Sequence, residues 1–157
     1  MYTFNKDKKR LEPSDTKCQY CDTEDCTDME DNYFVPLFKE KDRTNIIVYR
    51  SVKYSKIPVG VPRCKNCKRI HEKASTTAAW LGWGLALVFV ILGFQFLGPN
   101  GMFTLLAGPF IGYGLKVLIE KKMVRDKEIY TKLEGAKETE AVQDLVLSGW
   151  SFTNPSP

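Results

Sequence analysis

Apolar residues follow two unlike patterns along this chain. From Ala74 to Leu115 no charged side chain occurs, and Leu, Val, Phe, Ile and Trp crowd together, while charged residues are dense on both sides. An uncharged run of this length is too long for a buried strand and suits membrane-spanning helices. At 1.5 Å rise per residue, Thr76 to Phe96 extends about 31 Å, the thickness of a hydrocarbon core, and Met102 to Ile119 about 27 Å. Between them, Gly98-Pro99-Asn100-Gly101 is a strong turn. The region 74–119 is therefore expected to form an antiparallel helical hairpin of two spans, about 76–96 and 102–119. A soluble buried hairpin would need a far larger protein around it.

The charged flanks carry shorter patterns. Residues 1–17 are polar and predict a poorly ordered arm, with strapping near Leu11 as it approaches the first cysteine as the alternative. Tyr33–Phe38 is aromatic and β-branched and reads as a strand, which Pro36 confines to a sheet edge. Lys39–Arg43 reads as a charged turn. Thr44–Tyr54 reads as one strand, with Val48, Arg50, Val52 and Tyr54 on one face and Tyr49, Ser51 and Lys53 on the other. Ile57–Pro62 is a further extended piece. Beyond the apolar run, Glu120–Leu133 predicts a helical extension of the second span, ending near Gly135. Thr139–Leu147 predicts a short amphipathic helix with Val142, Leu145 and Val146 on its apolar face, stopped at Gly149. Trp150 and Phe152 follow. In a solvated tail they would be wasted, so this segment is expected to fold back on the N-terminal domain or to dock on a partner.

Five cysteines add a second constraint: Cys18, Cys21, Cys26, Cys64 and Cys67. An odd number in Cys-x-x-Cys pairs points to metal ligation in a reducing compartment rather than to a disulfide framework. Two thiolates with two residues between them grip one tetrahedral ion across a tight turn. A domain of this size has a marginal core, for which a structural metal is a common remedy. The residues after Cys64-Lys65-Asn66-Cys67 contain no helix breaker, so a helix can begin at that pair and continue into the first span. A Cys-Gln-Tyr-Cys knuckle, a β-hairpin and a helix bearing the last two cysteines resemble the treble-clef family; a second hairpin knuckle would instead resemble the zinc ribbons. The resemblance covers about Cys18 to His71. It implies a structural Zn²⁺ held by Cys18, Cys21, Cys64 and Cys67. The chain departs from the family where glycine commonly follows the second cysteine: Asp22 and Lys68 stand there, and the spacer between the pairs is long. Cys26 is left as a spare, a substitute ligand or a reactive thiol. His71, four residues after Cys67, is expected at a surface or facing headgroups, with a second-shell or ligand role as the alternatives.

Charge sets orientation. Lys65, Lys68, Arg69 and Lys73 precede the first span, Lys121, Lys122, Arg125 and Lys127 follow the second, and the connecting turn has no charge. The positive-inside rule then places both termini in the cytoplasm, in agreement with the cysteine reading. The mean hydropathy of −0.28 averages over the two patterns and conceals both. A basic stretch including Arg50, Lys53, Lys56, Lys68 and Arg69 is a possible contact for an anionic surface. Ala78, Gly82 and Ala86 recur along one helix face, and Gly108 and Gly112 form a Gly-x-x-x-Gly; together they offer a face for close approach of a partner helix or of the hairpin to itself. Pro109 should bend the second span. No carboxylate, histidine or arginine lies at mid-span, which argues against a proton relay or ion path. No phosphate loop, paired carboxylates or Ser/His/Asp set appears, no small-molecule substrate is evident, and the N-terminus predicts no cleavable signal peptide.

The expected architecture is α+β. A polar arm (1–17) precedes a small four-cysteine zinc domain built from a β-hairpin plus helix (18–73). The transmembrane hairpin (74–119) and a cytoplasmic helical tail (120–157) follow. The expected role is non-enzymatic: an adaptor or accessory subunit in the inner or plasma membrane, or another membrane facing the cytoplasm. Its partners would be the lipid bilayer and another integral membrane protein or complex. A membrane-tethered RNA- or ribosome-binding module and a zinc or redox sensor are the alternatives.

Overall fold

The computed structural model describes residues 1–46 and 49–156, without the side chains of residues 45, 46, 49, 50, 97, 99 and 100. The chain is α+β. Four strands, β1 (Tyr2–Asn5), β2 (Arg10–Pro13), β3 (Tyr33–Ile46) and β4 (Tyr49–Val61), precede two long helices, α1 (Lys65–Leu97) and α2 (Met102–Arg125). Two short helices close the chain, α3 (Lys132–Glu138) and α4 (Glu140–Leu147). Two compact units result. One comprises Met1–Lys68 with Lys132–Pro157, the other Arg69–Thr131.

In the first unit the strands form a mixed sheet ordered β1-β2-β4-β3. β3 and β4 make a long antiparallel hairpin that sets Val35 opposite Val59 and Leu37 opposite Ile57. Val35, Leu37, Val59 and Val61 are buried. β3 is an edge strand, which lets Pro36 stand in it without breaking a ladder. The charged run Lys39–Arg43 is no turn. β3 runs through it with a register shift between Glu40 and Asp42, and Arg43 pairs with Glu40 at 2.8 Å. An edge strand accommodates such a bulge because only one side of its backbone is paired. The stretch read as one strand instead contains the end of β3 and the start of β4, with Ile46 paired to Tyr49; Ile47 and Val48 lie outside the described residues.

Residues 1–17 are not a loose arm. β1 and β2 pair in antiparallel fashion, and β2 joins the sheet in parallel through Leu11 and Val59. The Asn5 side chain accepts from the backbone N–H of Asp7 and Lys8, a local turn of the kind asparagine favours. Arg10 stacks over the Phe34 ring at 4.0 Å and pairs with Glu12 at 2.6 Å. These contacts hold a hairpin whose own sequence is mostly polar.

The C-terminal segment folds back on this same unit, as the Trp150/Phe152 pair suggested. Phe38 and Ser151 exchange both backbone hydrogen bonds at 2.8 Å, covering part of the exposed edge of β3. Lys39 Nζ donates to the Ser148 carbonyl, and Lys137 lies over Phe152. Gly149, at φ +88°, ends α4 as expected. Gly135 is no helix stop: α2 ends at Arg125, and Gly135 lies within α3. Its reason is packing. A Cβ on Gly135 would sit 2.5 Å from Cε1 of Tyr20, a buried ring whose hydroxyl donates to the Lys132 carbonyl. Alanine is the better helix former by about 1 kcal/mol, yet here the overlap decides the sign. Gly135→Ala is expected to destabilise this unit by about 1–3 kcal/mol, read as a lower urea midpoint.

The second unit is a helix pair. Ala78, Gly82 and Ala86 of α1 and Gly108 and Gly112 of α2 are buried. A Cβ on Gly82 would meet the Gly112 carbonyl at 2.8 Å, and one on Gly112 would meet the Ala86 Cβ at 3.1 Å. Of the two uses read for these small residues, a partner helix or the hairpin itself, close approach of α1 and α2 to each other engages Gly82, Ala86 and Gly112. Thr104 Oγ1 donates to the Gly101 carbonyl at 2.6 Å, fixing the turn. The large apolar residues point the other way: Leu87, Ile91, Phe103, Leu106, Phe110 and Leu118 are all more than half exposed. α2 remains helical through Pro109.

Candidate metal centre

The Sγ atoms of Cys18, Cys21, Cys64 and Cys67 all lie within 4.8 Å of one another. A tetrahedral ion with Zn–S bonds near 2.3 Å would need S···S distances of about 3.8 Å. The Cys21 and Cys64 sulfurs are 3.9 Å apart, so that pair already matches such an ion, and every other pair lies within about 1 Å of that spacing. Cys18, Cys64 and Cys67 are buried and Cys21 half-buried. All five cysteines are free.

Local backbone geometry explains the convergence. The first pair sits in a loop clamped at both ends, by Cys18 N–H to the Glu24 carbonyl and by Gln19 N–H to the Pro62 carbonyl. Asp22 N–H returns to the Cys18 carbonyl at 3.0 Å, closing the tight turn a knuckle requires. Asp22 itself has φ +54°. It therefore occupies the left-handed conformation that glycine adopts most readily, and aspartate tolerates it better than most residues. Lys68 needs no such conformation, because the second pair lies at the start of α1 and the chain continues as helix. Both departures from the glycine pattern are accounted for. Asp22→Gly is expected to strengthen metal retention by up to about 1 kcal/mol, and Asp22→Val to weaken it by about 1–2 kcal/mol, measured as the chelator concentration that strips half the metal.

Backbone donors point at the sulfurs. Cys64 N–H donates to Cys18 Sγ at 3.3 Å and Cys67 N–H to Cys64 Sγ at 3.4 Å. These are amides of the first turn of α1 and the residue before it, the end of a helix that favours negative charge. The hydrogen bond from the Cys67 thiol is the largest influence on Cys18, and with backbone donors it lowers that thiol to about 4. The Cys67 thiol rises well above the ordinary range because it donates to Cys18 and is buried. Burial pushes Cys64 up to about 12. Four thiols this close cannot all ionise by themselves; a divalent cation reverses that balance.

The remaining sequence candidates separate. Cys26 stands outside the group of four. Burial first, and then the Cys18 and Cys64 sulfurs, push its thiol up to about 12, and its N–H is held by the Thr16 carbonyl. His71 is neither in the cysteine group nor at a surface. It is buried, with Nε2 3.0 Å from the Tyr130 carbonyl, and so ties the segment after α2 to α1. Lys68 does not face outward as part of a basic patch: its ammonium pairs with Asp31 at 2.8 Å. Arg63 is likewise buried, donating from Nε to the Asp31 carbonyl and from N–H to Asn32 Oδ1. Sequence spacing did not reveal these two anchors, which tie Asp31 and Asn32 to the approach of the second cysteine pair. Arg69, Lys53 and Lys56 are exposed. The side chain of Arg50 lies outside the described residues.

The fold and site together define a class: an α+β chain with a four-cysteine centre suited to an ion such as zinc, and two helices long and apolar enough to cross a membrane. Comparison with protein-family models, curated proteins and solved structures found no match.

Proposed function

We propose that this chain is a non-enzymatic, membrane-anchored zinc-domain adaptor or accessory subunit of a membrane protein complex. The observation that carries the reading is the closure of the metal site. Four thiols converge on one point, and a four-thiolate site leaves no open position for substrate or water, as a structural centre does. One pair from a knuckle and one from the start of a helix is the treble-clef arrangement.

Anchoring rests on the helix pair. Its small residues are inside and its large apolar side chains outside, the reverse of a soluble hairpin. A soluble monomer rarely leaves so much contiguous apolar surface to water, whereas lipid-exposed helices pack through small residues. The segments before α1 and after α2 form one compact unit. A unit built from both segments favours an even number of crossings, and the basic flanks support a cytoplasmic side for both termini.

The RNA-binding alternative loses ground on register. Lys53 and Lys56 are three residues apart on β4 and so leave opposite faces of the strand, while Lys68 is paired with Asp31. A redox sensor using Cys26 would need a thiolate near neutral pH, and that thiol is pushed up to about 12. The test is purification in mild detergent with metal analysis and mass spectrometry of co-purifying proteins. Near-stoichiometric zinc and a reproducible integral-membrane partner are expected. A chain that is soluble without detergent, metal-free and alone would overturn the proposal.

A further inference from the structure

We propose that the groove between α1 and α2 binds the headgroup and upper acyl chain of one anionic phospholipid. This rests on the membrane reading and adds a specific ligand site to it. The groove has a volume of about 610 Å³ and is lined by Ser75, Thr76, Trp80, Trp83, Leu87 and Lys116 among others.

Its chemistry is graded along α1. Two hydroxyls come first, then two indoles, then an aliphatic wall. Thr76 donates to the Glu72 carbonyl, which leaves its hydroxyl oxygen able to accept. Trp80 is 79% exposed and Trp83 50%, positions that suit the headgroup boundary of a bilayer. Lys116 reaches this wall because the helices touch there. A Cβ on Gly82 would lie 2.9 Å from the Lys116 backbone nitrogen, so the base of the lysine side chain is held against α1. Among the described residues Lys116 forms no ion pair, with Glu120 one turn away or with any other carboxylate. A lysine that is itself half-buried and lines a mostly apolar groove favours an anion. A phosphodiester satisfies it together with the Ser75 hydroxyl, and an acyl chain continues over Trp83 and Leu87. Free phosphate has nothing to place on that apolar wall, which is why a lipid is the occupant.

The test uses the full chain, first floated with phosphatidylcholine vesicles and then exchanged into detergent with equal phosphatidylglycerol and phosphatidylcholine for native mass spectrometry. Retention of phosphatidylglycerol is expected to exceed that of phosphatidylcholine about fivefold, the contribution of one cation near an anionic lipid. Lys116→Gln should abolish the preference, Lys116→Arg should keep it, and Lys122→Gln, an exposed basic residue outside the groove, should leave it unchanged. Equal retention of the two lipids, or a preference that survives Lys116→Gln, overturns the site while leaving the anchoring intact. Displacement by millimolar inorganic phosphate would mark a soluble-anion site and also overturn it. Failure to float would remove the membrane reading itself and this inference with it.

Discussion

Replacing Cys64 with serine is expected to unfold the unit formed by Met1–Lys68 and Lys132–Pro157 while α1 and α2 keep their helical signal. Cys64 is central to the cluster. Its sulfur lies 3.9 Å from that of Cys21 and accepts from Cys67 N–H, and its own N–H donates to Cys18. This unit offers few large buried side chains: beside the cysteines and Ala136, its fully buried apolar groups among the described residues are Tyr20, Leu37, Val59, Val61 and Val142. A core that small contributes little beyond its conformational entropy cost. Binding of a structural zinc is worth on the order of 10 kcal/mol at neutral pH, comparable to the whole stability of a small domain. Hydrogen exchange reads the outcome by segment. Protection of β3 and β4 should vanish in the variant, and on chelation of the wild type, while protection between Thr76 and Phe96 persists. Strands that stay protected after chelation would show that metal does not hold this unit together.

The same centre sets a pH dependence of definite sign. Cys64 is raised to about 12 by burial, and Cys67 is raised further by its hydrogen bond to Cys18. Without metal these two sites are protonated at neutral pH. Folding that keeps them protonated is favoured below the ordinary thiol range near 9, and that contribution is lost as pH rises toward 12. Cys18, lowered to about 4, contributes in the opposite sense: its share is present above the thiol range and is lost as pH falls through 4. With zinc bound, all four must be thiolates, so binding releases the protons of at least Cys64 and Cys67. Zinc affinity is expected to fall by at least about a hundredfold per pH unit on acidification near neutrality. Calorimetry in buffers of different ionisation enthalpy counts the protons directly, and release of fewer than two would contradict the assignment.

Much of the architecture was legible because it rests on signals that need only local sequence. The uncharged run, the Gly-Pro-Asn-Gly turn and the breaker-free stretch after Cys67 gave both long helices. The Cys-x-x-Cys spacing gave the four residues that converge. What was hidden depends on contacts made far along the chain. The N-terminal hairpin looks polar, and its place in the sheet comes from Leu11 meeting Val59 and Arg10 stacking on Phe34. No glycine or proline interrupts Thr44–Tyr54, so it reads as one strand although it contains the end of β3 and the start of β4. Gly135 resembles a helix stop because its real constraint, the Tyr20 ring, is more than a hundred residues away in sequence. His71 shares the helix spacing of a ligand, yet its partner is a carbonyl at Tyr130. Lys68 and Arg63 count as basic surface in any tally of charge, and only the fold shows them holding Asp31 and Asn32.

Gly82→Leu is expected to separate α1 from α2, whereas Gly84→Leu, two residues on, should be silent. The contrast follows from what a Cβ would meet. At Gly82 it would lie 2.8 Å from the Gly112 carbonyl oxygen, 2.9 Å from Lys116 N and 3.2 Å from Lys116 Cα. All three are backbone atoms, so no rotamer change relieves the overlap; the helices themselves must move. At Gly84 nothing lies within 4 Å. Overpacking a tight contact costs typically about 1–3 kcal/mol, and the upper end applies here because separation also strips Ala86 and Gly112 of their mutual contact. In lipid no hydrophobic effect between the helices compensates, since packing of small residues is what drives their association. Gly114→Leu, another position with open space around it, serves as the matching control on α2. An engineered disulfide near the contact, formed under mild oxidant, reports helix proximity. Its yield should drop sharply for Gly82→Leu and hold for both controls. Equal yields in all three would mean that the small residues do not set the approach of the two helices, and with that the inside-out packing on which the anchoring proposal rests would lose its support.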